Sequence, residues 1–102
     1  MGTVVTVINT SSSHGGVVSA HKVTVIIPDG PSNDLGTIES GQQKSVDLSK
    51  LGWDKYVGKS FRISAIDHTH TIHSAYCPYT LDTHYTFEVH GPTGQATITG
   101  PR

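Results

Sequence analysis

Apolar and polar residues alternate in short runs along the chain, and no run has the spacing of a long amphipathic helix. In residues 60–66 the apolar Phe61, Ile63 and Ala65 alternate with polar side chains, and residues 84–90 show the same alternation. Because successive side chains of a strand point to opposite faces, each of these runs predicts a strand with one buried face.

The remaining β-branched runs predict five further strands, separated by turns rich in Gly, Pro, Asn, Asp and Ser. These runs cover residues 3–10, 17–27, 35–40, 44–50 and 95–99. The third and fourth are predicted to pair around the turn Ser40-Gly41-Gln42. The pattern therefore predicts one all-β domain over residues 1–102, an antiparallel β-sandwich of about seven strands, immunoglobulin-like or jelly-roll-like.

Charge and cysteine content narrow the functional classes. Seven Lys and Arg against eight Asp and Glu give a net charge of -1, so the basic face that nucleic-acid binding needs is not expected. No apolar run approaches the length of a membrane span, and residues 1–10 are not expected to be a leader peptide because they have no basic segment followed by an apolar block. With Cys77 as the single cysteine, a cytoplasmic protein is slightly favoured over a secreted one whose leader was removed.

The segment DHTHTIH, residues 67–73, is the densest group of metal-binding side chains. If the strand from Ser60 continues through it, His68 and His70 share one face, and His73 is a candidate third ligand for Zn, Cu or Ni. The run at residues 84–90 supplies further histidines. Exposed positions on ordinary strands explain the same histidines, so the metal site remains an alternative and no cofactor is required.

Several aromatic residues fall in predicted connections, where a rigid sandwich commonly carries its binding sites. Such rings stack on sugars, while neighbouring polar groups bind hydroxyls. The candidate ligand-binding residues are Trp53, Tyr56, His68, His70, Tyr76 and Tyr79. The competing interpretation is that Trp53 closes the end of the sandwich and the tyrosines cover its rim.

These observations favour a non-enzymatic, lectin-like binding module that recognises a glycan or another surface ligand through its loops. A histidine-based metal-binding protein is the first alternative, and a structural or defence protein acting by self-assembly or receptor contact is the second. No catalytic triad or nucleotide-binding loop is present, so no catalytic residue is predicted. The apolar, uncharged strands near residues 4–9 and 23–27 are either central or covered by a second subunit, and they suggest a homodimer.

Overall fold

The computed structural model describes residues 2–10 and 19–101, which form nine strands and two short 3₁₀ turns. The strands are β1 (Val4–Asn9), β2 (Ser19–Ile26), β3 (Ser32–Glu39), β4 (Gln43–Asp47), β5 (Ser60–Asp67), β6 (His70–His73), β7 (Cys77–Pro78), β8 (His84–His90) and β9 (Thr97–Thr99). The 3₁₀ turns are Ser49–Leu51 and Trp53–Tyr56. No helix among the described residues is long and apolar enough to cross a membrane.

The strands form two sheets. The first sheet has the order β4-β1-β8-β9, and the second has the order β3-β2-β5-β6, with β7 pairing the first residues of β5. The all-β prediction is confirmed. The strand count of seven is too low because the short strands β6 and β7 were not predicted. The purely antiparallel arrangement is wrong because β1 and β8 pair in parallel.

One hydrophobic core lies between the two sheets. The first sheet contributes Val5, Val7 and Phe87, and the second contributes Val25 and Ile63, which pair across β2 and β5. These are the residues whose alternation predicted the strands. Their polar neighbours in sequence therefore lie on the outer faces of the two sheets.

The predicted pairing of residues 35–40 with 44–50 is wrong. After β3 the chain crosses to the other sheet, where Val46 of β4 pairs with Val5 of β1. The turn is held by β1, since the Gly41 amide donates to the Asn9 carbonyl oxygen and the Asn9 amide donates to the Gln42 carbonyl oxygen. The turn therefore bonds to β1 instead of closing a hairpin between β3 and β4.

The apolar strands that suggested a homodimer are central strands. β1 lies between β4 and β8, and β2 lies between β3 and β5. Their composition is accounted for by burial within one chain, so it gives no separate indication of a subunit interface. The homodimer remains a prediction without support from these strands.

The two ends of the molecule are defined by β5, which spans about 23 Å from Ser60 to Asp67. We call the end near Ser60 the basal end; it contains the 3₁₀ turns and residues 78–83. We call the end near Asp67 the apical end; it contains residues 39–43, 67–70 and 90–96. This division decides which candidate residues can act together.

Candidate functional site

Trp53 and Tyr79 are part of the core at the basal end. Trp53 is 5% exposed and Tyr79 is 0% exposed. The Tyr79 hydroxyl donates to Asp54 Oδ1 at 3.0 Å, and its ring meets Phe61 edge-on with the centroids 6.2 Å apart. Burial, and then the hydrogen bond to Asp54, raise the pKa of Tyr79. Neither ring presents a free face to a ligand in this structure.

Tyr56 is half-buried and partly covered by its neighbours. Its ring meets Trp53 edge-on at 6.5 Å between centroids, and Lys55 Nζ lies 5.5 Å from its centroid. With Trp53 and Tyr79, it belongs to the packing of the basal end. The interpretation in which Trp53 closes the end of the sandwich therefore matches the observed burial.

The histidine segment forms a hairpin, so the expectation that His68 and His70 share one face of a continuous strand is wrong. β5 ends at Asp67, and His70 pairs with Asp67 across a two-residue turn in which His68 has φ of 58°. His70 and His73 are three positions apart on β6 and thus point to opposite faces. Within residues 2–10 and 19–101 no three His, Cys, Asp or Glu side chains are grouped to hold a metal ion.

The histidine at the start of β8 is on the other sheet. His84 Nε2 lies 2.9 Å from Thr6 Oγ1, and Thr6 Oγ1 lies 2.7 Å from Ser45 Oγ. These contacts cross the outer face of the first sheet, whereas β6 belongs to the second. His84 therefore does not join His68, His70 or His73.

Asp54 and Asp67, which lie beside predicted site residues in the sequence, accept structural hydrogen bonds. Asp54 Oδ1 accepts from Ser49 Oγ at 2.7 Å as well as from the Tyr79 hydroxyl. Asp67 is fully buried, and its Oδ2 accepts from the amides of Gly94 and Ala96 at 2.8 and 2.9 Å. Both carboxylates hold loops in place, and that of Asp67 is too deeply buried to bind a sugar hydroxyl.

Cys77 is a buried thiol at the start of β7, opposite Phe61. Burial raises its pKa to about 11. The thiolate is therefore scarce at neutral pH, and the side chain behaves as a packed apolar group.

Tyr76 is the one predicted aromatic residue that remains largely exposed, at 51%. Because Cys77 pairs with Phe61 in antiparallel register, the preceding Tyr76 lies beside Arg62 on the outer face of the second sheet. The Arg62 Cζ atom lies 4.7 Å from the centroid of the tyrosine ring, within the range of a cation–π interaction. The ring is thus braced on one side and open to solvent on the other.

Polar side chains continue across the same outer face. Arg62 pairs with Ile26, and Ser64 pairs with Thr24 on one side and with His73 on the other. Because paired residues of neighbouring strands project from the same face, they form a flat patch next to the tyrosine ring. We call this patch the Tyr76 face: Thr24, Ile26, Arg62, Ser64, His73 and Tyr76.

Arg62 is the charged residue of this face, and the sequence analysis did not select it. Its strand alternation places it on the outer face, and that signal was available in the sequence. The sequence did not show that Arg62 lacks an ion pair among the described residues. Its Nε is buried without a hydrogen-bond partner among the described residues, and its guanidinium forms no ion pair there.

Comparison with known proteins gives a fold likeness and nothing on function. No protein-family model and no curated protein sequence matches the chain. The chain is similar to the NMR structure of a protein from Eubacterium rectale, with a TM-score of 0.59 and 8% sequence identity over 94% of this chain and 84% of that one. The described part of the chain contains no enclosed pocket, so the candidate sites are surfaces.

Proposed function

We propose that this protein is a non-enzymatic, lectin-like binding module that holds a saccharide on the Tyr76 face. The observation that carries the proposal is the Tyr76 ring, which is 51% exposed yet held against Arg62 at 4.7 Å from guanidinium carbon to ring centroid. A large apolar surface that is both exposed and fixed in orientation is what stacking on a sugar ring requires.

The neighbours of the ring support a saccharide in particular. A sugar offers C–H groups on one side and hydroxyls around its rim. The side chains of Thr24, Ser64 and His73 supply donors and acceptors on the same face as the ring. Because they project from paired strands, their spacing is fixed before the ligand arrives, and this lowers the entropy lost on binding.

This proposal moves the site relative to the residues first predicted. Tyr76 is retained, while Trp53, Tyr56 and Tyr79 support the basal end and His68 lies in the apical turn. Arg62, Ser64 and His73 of the Tyr76 face take their place. Self-assembly and receptor contact remain the alternative class, and the experiment below separates it from the saccharide proposal.

For the fold, the immunoglobulin-like or jelly-roll-like class also remains a proposal. It is supported by Tyr85 near the start of β8, whose hydroxyl donates to the Pro78 carbonyl oxygen at 2.7 Å and accepts from the Thr80 amide at 3.0 Å. A tyrosine in this position that bonds to backbone a few residues upstream is typical of immunoglobulin-like sandwiches. The parallel pairing of β1 with β8 departs from a purely antiparallel sandwich.

A glycan array tests the functional proposal. Wild-type protein is expected to bind a subset of glycans, and Tyr76→Phe to retain binding through the ring. Tyr76→Ala is expected to weaken binding about 5- to 100-fold, if a sugar gains from one ring what a nucleic-acid base gains by stacking, about 1–3 kcal/mol. Leu81→Ala is the matched control because Leu81 is equally exposed, at 52%, in a basal loop.

Two results would contradict the proposal. One is a wild-type protein that binds no glycan on the array while its folding is confirmed by a cooperative melt. The other is binding that Tyr76→Ala and Leu81→Ala reduce equally. A specific oligomer without glycan binding would favour the self-assembly class.

A further inference from the structure

We infer that the saccharide held on the Tyr76 face is acidic, that is, a sugar carrying a carboxylate or a sulfate, and that Arg62 recognises its charge. The inference rests on the function proposed above and names the ligand class for the same site. It comes from the Arg62 guanidinium, which lies on the outer face of the second sheet and forms no hydrogen bond or ion pair among the described residues.

The first argument is that this cation lacks an anionic partner. The Nε atom is buried and has no hydrogen-bond partner within the part of the chain that the structure describes. The terminal nitrogens make no hydrogen bond or ion pair there either. A half-buried charge that is compensated only by an aromatic ring is stabilised less than one that also meets an anion.

The second argument is the neutral character of its surroundings. Arg62 pairs with Ile26 and lies over the ring of Tyr76, and the next pair along the strands is Thr24 with Ser64. Of the carboxylates on the strands of this face, that of Asp34 is nearest to Arg62 in register; it pairs with Thr24 and so lies two strands, or about 10 Å, from β5. Its Oδ1 accepts from the Gly36 amide at 2.6 Å. No carboxylate of this sheet face is therefore placed to compete for Arg62.

The third argument is geometric. A guanidinium binds carboxylate and sulfate oxygens with parallel N–H donors along its edge, while its flat face stays available for stacking. Here Cζ lies over the Tyr76 ring, 4.7 Å from its centroid, and the terminal nitrogens make no hydrogen bond among the described residues, so they are left for an anion. An acidic oligosaccharide can stack one residue on the free side of the tyrosine ring and place the acidic group of that or the next residue on Arg62.

Calorimetric titration tests the inference with three probes: a hexuronate oligosaccharide, a sulfated oligosaccharide, and the neutral oligosaccharide obtained by reducing the uronate carboxyl groups. Wild-type protein is expected to bind one or both acidic probes and to bind the neutral one at least tenfold more weakly. Arg62→Gln replaces the charge by a shorter, neutral polar group and is expected to lower acidic-probe affinity about 10- to 100-fold, as for a charged hydrogen bond. The two acidic probes distinguish carboxylate from sulfate.

Arg62→Lys and Lys50→Gln are the matched controls. Arg62→Lys keeps the charge but loses the paired donors and is expected to recover only part of the affinity. Lys50→Gln makes the same charge change at an exposed residue of the basal end and is expected to leave affinity unchanged. A thermal melt of each variant establishes that it is folded before titration.

Each other outcome overturns a stated part of the reasoning. Equal affinity for acidic and neutral probes, unaffected by Arg62→Gln, overturns the acidic ligand and leaves the saccharide function standing. An equal loss in Arg62→Gln and Lys50→Gln shows general electrostatic attraction and overturns the role of Arg62. If wild-type protein binds none of the probes and nothing on the glycan array, both the inference and the proposed function are overturned.

Discussion

Replacing the buried carboxyl group of Asp67 should release the apical loop and destabilise the whole domain. Asp67 is the last residue of β5, and its Oδ2 accepts from the amides of Gly94 and Ala96, which lie beyond the end of the first sheet. One side chain of the second sheet thus fixes the connection between β8 and β9. Its Oδ1 is buried without a partner among the described residues, so all of its bonding is directed to this loop.

The expected cost follows from the two donors that Asp67→Ala would leave behind. The Ala96 amide bond is fully buried, and an unsatisfied buried donor costs about 1–3 kcal/mol. The Gly94 amide bond is only partly buried, so water can replace part of it at about 1 kcal/mol. Loss of the unpartnered Oδ1 offsets about 1 kcal/mol. The net destabilisation is about 1–3 kcal/mol, or a melting temperature about 5–20 °C lower in a domain of this size.

Urea unfolding and amide hydrogen exchange together test this expectation. Asp67→Asn is the matched control, because its amide oxygen can still accept both bonds, and it should cost about 1 kcal/mol. In Asp67→Ala the amides of Gly94 and Ala96 should exchange much faster than those of central β1. The reasoning is refuted if Asp67→Ala and Asp67→Asn are equally stable, or if those two amides stay as protected as in the wild type.

Three further predictions concern other regions. Because burial raises the pKa of Cys77 to about 11, its thiol should resist alkylation at pH 8 until denaturant is added. The stability that the protonated thiol contributes should be complete below about pH 9 and lost as pH rises towards 11. Rapid labelling of the native protein would contradict this. Gly91→Ala should cost about 2 kcal/mol or more in urea unfolding, because its φ is 116° and a Cβ would lie 3.0 Å from the Cα of Ala96. Gly52→Ala, which has open space around it, should cost about 1 kcal/mol. Equal costs would show that the contact with Ala96 is unimportant. Thermal melts with zinc, copper or nickel should match melts with EDTA, and a rise of several degrees that His68→Ala/His70→Ala abolishes would instead show a metal site.

Local alternation predicted the strands well where each strand buries one face. The runs around Phe61 and Phe87 became β5 and β8 with their predicted sides inward. Partner choice was not predictable in the same way, because it depends on contacts between residues far apart in sequence. Val5 pairs with Val46 on one side and with Tyr85 on the other, and nothing in the local pattern of these three segments distinguishes that order from a hairpin.

The histidine segment was predicted as a continuous strand because its turn lacks the residues that usually mark a turn. Two-residue hairpin turns usually carry Asn or Gly at positions with positive φ, whereas this turn is His68-Thr69, between residues that resemble strand. Histidine is among the non-glycine residues that adopt this conformation more readily. The turn therefore had no marker in the sequence, and His68 and His70 were placed together on a strand that ends at Asp67.

For Arg62, the sequence predicts its position on an outer face, and only the structure shows which residues surround it. Alternation alone puts Arg62 and Ser64 on an outer face, but most arginines on outer faces are solvated or paired with a carboxylate across the strand. Only the register shows that its neighbours are Ile26 and Tyr76, so that the guanidinium is held by a ring and left without an anion among the described residues. An arginine without an ion pair contributes little to the stability of the fold. For this reason we propose that Arg62, and not the histidines, recognises the ligand.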